Sequence, residues 1–347
     1  MKLSADQVEF QEHLRGFFQE RISSEHLRGW VAASKRSDEA LLTALRELGL
    51  YEGFIGDSAV FSVEELGIVA TECGRALLPY ALPEHLLADG ILPSLMIPTE
   101  RSRFDNEFKA DRSTLALNQC CSLSLHEGAD RVDGYIHWCA GCEDAERLVA
   151  FADTKLGRRC VVFRVSESGV RVAPIDALDL TQPLSRIECV SAPVLVLSLE
   201  TSQALEDICE AIKASEAAGL CARAIEMSVD YAKTREQFGR PIGSFQAIQQ
   251  KLADAYASCE ALSSLSRFAV WACSHAPDQR HLTARSAISM AADVAPKICE
   301  TAIQCHGGIG FTWEYPLHLY LRRAKTLQAG FQLSEARIDD LLSTASS

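Results

Sequence analysis

The C-terminal third of the chain constrains the fold most, because its apolar residues repeat at helical spacing over long stretches. One such stretch places a row of apolar side chains along one face of a long helix: Ile248, Leu252, Ala255, Cys259, Leu262, Leu265 and Ala269. Segments 205–233 and 282–304 are also typical of long helices, and Pro296 predicts a kink or local strain in the second. Small residues are frequent there, so the sequence predicts a bundle of about four closely packed helices.

The N-terminal part of the chain is predicted to be mostly helical. Ser4 and Gln7 have the spacing of a capping box, and Ser62 and Glu65 repeat that spacing ahead of a second apolar helix. The polar and charged segment 98–112 is typical of a linker.

Short runs of β-branched and aromatic residues mark the middle of the chain. They are bounded by Gly, Pro, Asp and Ser, and they span residues 148–151, 160–163, 170–172 and 194–197. These runs predict a small β-barrel or sandwich. The expected class is therefore α+β, with an N-terminal helical domain at 1–110, a reduced middle β-domain at 111–200 and a C-terminal four-helix bundle at 201–347.

Composition excludes several classes of function. The 347 residues carry a formal net charge of -13 without a run of Lys or Arg, which disfavours nucleic acid and anionic membranes as partners. No apolar run approaches the roughly 20 residues of a membrane helix, and the N-terminus lacks an apolar signal segment. The 13 cysteines show no paired framework, which indicates reduced thiols and a cytoplasmic location. Cys139 and Cys142 form a lone CxxC, more typical of two buried or loop thiols than of a metal or redox site.

Two C-terminal motifs carry the chemistry. The first is TREQFGRPI at 234–242 with FQAIQ at 245–249, and the second is QCHGGIGF at 304–311 with EYP at 314–316. An arginine guanidinium bonds two phosphate oxygens at once, and glycines let the backbone approach a phosphate or a ribose closely. Each motif alone is a weak signal, but their combination in this order and separation is not expected by chance.

In this combination the motifs resemble those of the acyl-CoA dehydrogenase family of flavoproteins. The order of helical part, β-domain and four-helix bundle is also the architecture of that fold. The resemblance implies that the pyrophosphate and adenine end of FAD, shared across a subunit interface, is held by Arg235, Phe238, Gln304, Gly307, Gly308 and Gly310. His306, inside the glycine turn, is interpreted as a turn residue rather than a catalytic one.

The groups that the family uses as catalytic base are not recognisable here. The family usually places a glutamate base a few residues after an Arg-Asp-Ala-Lys segment. Here RRAK stands at 322–325, and Phe331 occupies the position of the base. Some members place the base on the first bundle helix, where the same register gives Cys209. Glu210 is one residue away, which turns its side chain by about 100°. We interpret Glu210 as a solvated helix-surface residue, leave its role as a base open, and assign no catalytic residue.

The β-domain has lost its flavin-binding segment in the same way. The family opens this domain with a Thr-Glu-Pro-x-Ala-Gly-Ser-Asp segment that bonds the flavin ring, whereas this chain has LALNQCC at 115–121. A following Lys-x-Trp-Ile strand is reduced to IHWC at 136–139. The chain alone is therefore not expected to seat an isoalloxazine ring.

The resemblance thus implies the shorter, degenerate subunit of a heteromeric α2β2 acyl-CoA dehydrogenase, which completes the FAD site of a homologous partner. The partner's glutamate would remove the α-proton, a hydride would pass from Cβ to FAD, and a trans-2-enoyl-CoA would form. Electrons would leave to an electron-transfer flavoprotein. Such heterotetramers occur in bacteria that degrade the side chains of steroids and bile acids, so a steroid-CoA is the associated substrate class.

Two alternatives stay open at this stage. One is a self-sufficient homo-oligomeric dehydrogenase with a displaced base such as Glu210, and the other is a non-catalytic scaffold subunit. No residue of the sequence specifies the acyl chain, the electron acceptor or the partner.

Overall fold

Short helices build the N-terminal part of the computed structural model, which describes residues 2–56, 59–108, 112–116 and 120–331. Ser4 and Ser62 cap helices α1 and α5, and in both the third helical residue returns a hydrogen bond, which confirms the two capping boxes. In chain order the helices are α1 (Ala5–Arg21), α2 (Ser24–Ala32), α3 (Glu39–Glu47), α4 (Leu50–Phe54), α5 (Val63–Ala76), α6 (Leu82–Leu86), α7 (Leu92–Leu95) and α8 (Pro98–Phe108), with a π-helical turn Leu87–Ile91 between α6 and α7.

Helix α8 corrects the prediction of a linker at 98–112. Phe104 and Phe108 are buried one helical turn apart, and the Arg147 guanidinium lies 4.1 Å from the centre of the Phe104 ring. The buried Glu100 carboxylate accepts hydrogen bonds from the backbone N–H groups of Ile97 and Ser198. The segment is polar overall, but these few anchored side chains tie it to the core.

The middle of the chain folds into one sheet of eight strands, in the order β6-β7-β3-β2-β4-β5-β8 with β1 beside β4. The two pairs β1–β4 and β2–β4 are parallel, and the other pairs are antiparallel. The strands are β1 (Ser113–Leu115), β2 (Cys121–Leu125), β3 (Arg131–Ala140), β4 (Arg147–Thr154), β5 (Gly157–Arg164), β6 (Val170–Ile175), β7 (Leu184–Pro193) and β8 (Leu195–Val196). The predicted runs fall on β4, β5, β6 and β8, and IHWC falls on β3, whereas sequence analysis does not identify β1, β2 and β7.

Four helices follow the sheet and confirm the predicted bundle. They are α9 (Leu199–Thr234), α10 (Gln246–His275), α11 (Pro277–His306) and α12 (Leu317–Phe331). Ala255, Cys259, Leu262 and Ala269 of the predicted apolar row on α10 are buried. Helix α11 runs through Pro296 as one continuous element. The succession of helices, sheet and bundle confirms the expected fold class.

Two glycines let α5 and α9 cross with their backbones in contact. A Cβ atom added to Gly74 would overlap the carbonyl oxygen of Glu216, and one added to Gly219 would overlap that of Thr71. The crossing fixes the position of α9, whose side chains face the sheet on one side and α5 and α10 on the other.

Within the described ranges, no helix is long and apolar enough to cross a membrane. The same residues contain no group of three His, Cys, Asp or Glu side chains placed to hold a metal ion. Cys139 and Cys142 are both buried free thiols.

Candidate functional site

The first motif forms a β-hairpin directly after helix α9. Helix α9 ends at Thr234, and the Arg235 N–H group donates to the Tyr231 carbonyl. Strands β9 (Glu236–Gln237) and β10 (Arg240–Pro241) then pair in antiparallel fashion. Phe238 and Gly239 form the turn, with φ values of 53° and 75°. Two positive φ values are the signature of a type I′ hairpin turn.

This turn holds the Phe238 ring in solvent. The side chain is 93 % exposed, and its ring makes an edge contact with Phe245 at a centroid distance of 6.2 Å. A bulky residue with positive φ is strained, and such strain concentrates at binding sites. The hairpin therefore exposes an aromatic ring and adopts a strained backbone conformation. Within the hairpin as described, no contact compensates for that strain.

Arg235 and Gln304 are also turned to solvent. Both residues are exposed, and neither side chain has a hydrogen bond or ion pair within the described part of the chain. The Arg235 guanidinium is therefore available to an anion such as a pyrophosphate.

The second motif ends α11 in a turn that requires glycine. Gly307 has φ 67° and ψ -144°, a conformation that residues with a Cβ atom rarely adopt. Gly307 and Gly308 are exposed, and a Cβ atom at either would meet nothing within 4 Å. Gly310 differs, because it is buried and a Cβ atom there would lie 3.1 Å from the Ile303 carbonyl oxygen. Gly310 thus packs the turn against α11, while the first two glycines leave open space for a ligand.

An aromatic cluster brings the two motifs together. The Tyr231 ring stacks on His306 with a centroid distance of 4.3 Å, and Tyr315 meets both rings edge-on. The His306 Nδ1 atom lies 2.8 Å from the Ala302 carbonyl oxygen, and burial lowers the pKa of His306. His306 therefore joins the turn to α9, as a turn residue would. Sequence analysis does not single out Tyr231, although its position one helical turn before Arg235 is the available signal.

The groups assembled in this way form an open surface, which we call the half-site: Arg235, Phe238, Gln304, Gly307 and Gly308. Ligand sites usually bury most of the ligand surface. A dinucleotide held here would need a second protein surface to enclose it.

Among the described residues, a small cavity lies between the β-domain and the C-terminal bundle, where the resemblance would place a flavin ring. Leu115, Trp138 and Cys139 of the β-domain face α9 and α12 across a cavity of about 30 Å³. A single water molecule needs about 10–15 Å³ of such space, so this cavity suits a few waters rather than an isoalloxazine ring. Residues 117–119 of the predicted replacement segment lie outside the described residues.

A buried ionic network fills the space beside this cavity. The Lys213 ammonium contacts Glu84 and lies 2.6 Å from Glu216, and the Arg323 guanidinium lies 2.9 Å from Glu216 and also binds Asp179. Burial lowers the pKa of Lys213, but its two carboxylate partners outweigh burial and raise that pKa overall. The network holds these charged side chains in fixed positions on the wall of the cavity.

The three positions considered for a base are all buried. Phe331 is an apolar core residue, and burial raises the pKa of the Cys209 thiol well above its ordinary value. The interpretation of Glu210 as a solvated surface residue is wrong, because it is 1 % exposed and its carboxylate binds the Arg285 guanidinium. Arg285 also donates to Glu206 at 2.8 Å. Glu210 does not line the small cavity.

Comparisons of sequence find similarity to acyl-CoA dehydrogenases. The model of the acyl-CoA dehydrogenase C-terminal domain matches residues 211–335. The acyl-CoA dehydrogenase IpdE2 of Mycobacterium tuberculosis is 30% identical over 309 residues, which cover 86% of this chain and 84% of that protein. The acyl-CoA dehydrogenase FadE34 of the same organism is 40% identical over 156 residues, which cover 45% of this chain but only 22% of that longer protein.

Solved structures share the fold over nearly the whole chain. A Tcur3481-Tcur3483 steroid ACAD variant matches with a TM-score of 0.87 and 23% identity over 98% of both chains. The ChsE4-ChsE5 complex from Mycobacterium tuberculosis matches with a TM-score of 0.84 and 22% identity, over 100% of this chain and 98% of that chain. Butyryl-CoA dehydrogenase from Megasphaera elsdenii matches with a TM-score of 0.80 and 19% identity over the full length of both.

Proposed function

The chain belongs to the acyl-CoA dehydrogenase family, and on that premise we propose that it completes the FAD site of a homologous partner subunit. One contrast carries the proposal. Arg235, Phe238, Gln304, Gly307 and Gly308 are exposed and available to the pyrophosphate end of a cofactor, whereas the cavity between the β-domain and the bundle measures only about 30 Å³ and is bordered by ion-paired side chains.

The half-site suits the adenine and pyrophosphate end of FAD. The planar guanidinium of Arg235 matches two phosphate oxygens. The Gly307 N–H group donates to the Gln304 and Ile303 carbonyls, so Gly307 and Gly308 contribute open space in which a phosphate or ribose can approach the backbone closely. The exposed Phe238 ring offers an apolar face to the cofactor or to the subunit that holds it. Gln304 adds amide donors and an acceptor beside the turn, and buried Gly310 supports the turn from behind.

The reaction we propose for the complex is the α,β-dehydrogenation of an acyl-CoA to a trans-2-enoyl-CoA. FAD, when bound, accepts the hydride from Cβ. A carboxylate must remove the α-proton, and we assign it to the partner. In this chain Glu84 is the acidic residue on the wall of the closed cavity, and its carboxylate is ion-paired with Lys213. The contribution of this subunit is therefore to position the cofactor, not to transfer the proton.

We further propose an α2β2 assembly that works in the cytoplasm on a steroid-CoA and passes electrons to an electron-transfer flavoprotein. The similar structures named as a ChsE4-ChsE5 complex and as a Tcur3481-Tcur3483 steroid ACAD support a two-component enzyme and that substrate class. The steroid assignment rests on those names and on the resemblance.

The direct test is the FAD content of the complex after removal of the Arg235 guanidinium. We expect Arg235→Ala to weaken FAD binding about tenfold or more, because a charge-assisted bidentate contact is lost, while the assembly stays intact. Arg171→Ala, which removes an exposed arginine from strand β6, is the matched control and should leave FAD content unchanged. Full retention of FAD by the Arg235→Ala complex would contradict the proposal.

A further inference from the structure

Helix α10 has one face that the described part of the chain leaves uncovered. The opposite side of the helix packs against α9 and α11. The exposed face carries a row of small side chains: Ala253, Ala257, Ala261 and Ser264. The proposed function makes no use of this face.

Two charged side chains of opposite sign flank the row. Glu260 and Arg267 are exposed, and neither side chain has an ion pair or a hydrogen bond within the described ranges. Seven residues correspond to about 700° of helix rotation, so the two side chains point to within about 20° of the same direction. They are also separated by about 10 Å along the helix axis, which is too far for them to pair with each other in one chain.

A second copy of the same helix supplies both missing partners. In a symmetric dimer each contact occurs twice, because the same surface patch is used by both copies. Consider two antiparallel α10 helices related by a two-fold axis that passes between Ser263 and Ser264. Glu260 and Arg267 then lie about 5 Å on either side of the axis, so Glu260 of each copy stands level with Arg267 of the other. Two ion pairs form on the same flank of the helix pair.

Two aromatic side chains obey the same symmetry. Tyr256 is 57 % exposed and Trp271 is half-buried. Each lies about 11 Å from the same axis along the helix, on opposite sides of it, so Tyr256 of one copy is level with Trp271 of the other. Aromatic residues of this kind are enriched where protein surfaces meet.

The size and the charge of the face also suit a copy of itself. Ala257, Ala261 and Ser264 lie near the crossing point, and small side chains let two helix axes approach to about 8 Å. Glu260 and Arg267 cancel in net charge, so the face does not add to the repulsion between two chains that each carry a net charge of -13.

We propose that the exposed face of α10 is a contact between two copies of this chain, packed antiparallel, with Glu260 paired to Arg267 and Tyr256 against Trp271. In the α2β2 assembly proposed above, this contact joins the two like subunits. The contact itself depends neither on FAD nor on the dehydrogenation, since it lies on a different surface from the half-site.

Sedimentation of the purified full chain over a range of concentrations tests the contact by charge reversal. Glu260→Arg and Arg267→Glu should each weaken self-association about tenfold or more, because each replaces two attractive pairs by two repulsive ones. The double variant, in which the two charges are exchanged, should regain association close to that of the wild type. An equimolar mixture of the two single variants should form a mixed dimer. Lys251→Glu, which reverses an exposed charge about 140° around α10 from Ser264, is the matched control and should associate like the wild type.

The same variants co-expressed with a homologous acyl-CoA dehydrogenase subunit give a second readout. The single reversals should shift the complex from α2β2 toward αβ with FAD retained, and the double variant should restore α2β2. A wild-type chain that stays monomeric across the micromolar range, single variants that associate like the wild type, or a double variant no better than the single ones would each overturn the proposal. A complex that lacks FAD but still responds to the reversals would instead contradict only the function proposed above.

Discussion

Phe238 lowers the stability of the isolated chain in two ways. Its φ of 53° places a side chain in the left-handed region, which costs about 1–2 kcal/mol for a residue other than glycine. Its ring is also 93 % exposed. A residue with both costs is explained more readily by a ligand or a partner than by the stability of its own hairpin.

Replacing Phe238 by asparagine should separate these two roles. Asparagine suits the first position of a type I′ turn, so we expect the free energy of unfolding of the chain to stay the same or rise by up to about 1 kcal/mol. FAD binding by the complex should weaken at the same time. Urea denaturation and flavin content measure the two effects, with Phe238→Tyr as the aromatic control. A less stable chain with unchanged FAD binding would contradict this account of the residue.

Substitution of Lys213 tests how much the buried ionic network contributes to stability. Lys213→Met leaves Glu84 and Glu216 without their shared cation, and breaking a buried ion pair in this way costs about 3–5 kcal/mol. We expect that loss in the free energy of unfolding at pH 7, measured by urea denaturation. Arg171→Met, in which an exposed arginine is removed, should change stability by less than about 1 kcal/mol.

The same ionic network predicts how the stability of the chain depends on pH in the acidic range. Burial raises the pKa of Glu216, but Lys213 and Arg323 outweigh it, so the pKa is lowered in the folded chain. A carboxyl group with a lowered folded pKa stabilises the fold above its ordinary pKa, and this stabilisation is lost as pH falls through the lowered value. We therefore expect wild-type stability to fall below about pH 4, the ordinary range of a glutamate. The difference in free energy of unfolding between the wild type and Lys213→Met should become smaller at this acidic pH. A difference that does not change with pH would contradict the lowered pKa of Glu216.

At the scale of elements, the sequence predicts what local patterns determine. The apolar row of α10 and the two capping boxes depend on residues three or four apart, and all three features are confirmed. Helix α8 escapes prediction because two buried phenylalanines anchor an otherwise polar segment. The hairpin at Phe238 escapes prediction because Gly239 and Pro241 are equally typical of a helix end. Helix α8 is decided by contacts outside its own segment, whereas the hairpin depends on the positive φ values of Phe238 and Gly239, which no residue pattern marks.

The close crossing of α5 and α9 predicts that alanine substitutions at two glycines differ in their effect on stability. In Gly219→Ala the new Cβ atom would overlap the Thr71 carbonyl oxygen, so the helices must separate, and we expect a loss of about 1–3 kcal/mol in stability. In Gly308→Ala the Cβ atom meets nothing within 4 Å, so the stability of the isolated chain should change little. Thermal denaturation of both variants measures the difference. Equal stabilities would show that the crossing is not tightly packed.

At the scale of the whole molecule, the site divides into a part that sequence reveals and a part that it does not. The half-site residues stand in two short motifs, so sequence locates them, and the stacking of Tyr231 on His306 joins the motifs. The ionic network brings together Glu84, Asp179, Lys213 and Arg323 from distant parts of the chain, and no local pattern predicts it. The sequence-based interpretation of Glu210 as a surface residue is wrong for the same reason, since its partner Arg285 is 75 residues away. The domain boundaries at 110 and 200 and the cofactor roles of the half-site residues stay predictions.

The central claim is that this chain holds FAD only together with a partner. The most direct measurement is the flavin absorbance of the chain purified alone and after co-expression with a homologous acyl-CoA dehydrogenase subunit. The account predicts no FAD in the lone chain and stoichiometric FAD in the heteromeric complex. Stoichiometric FAD in the lone chain would contradict it and favour a self-sufficient enzyme, and a complex without FAD would contradict it in favour of a scaffold.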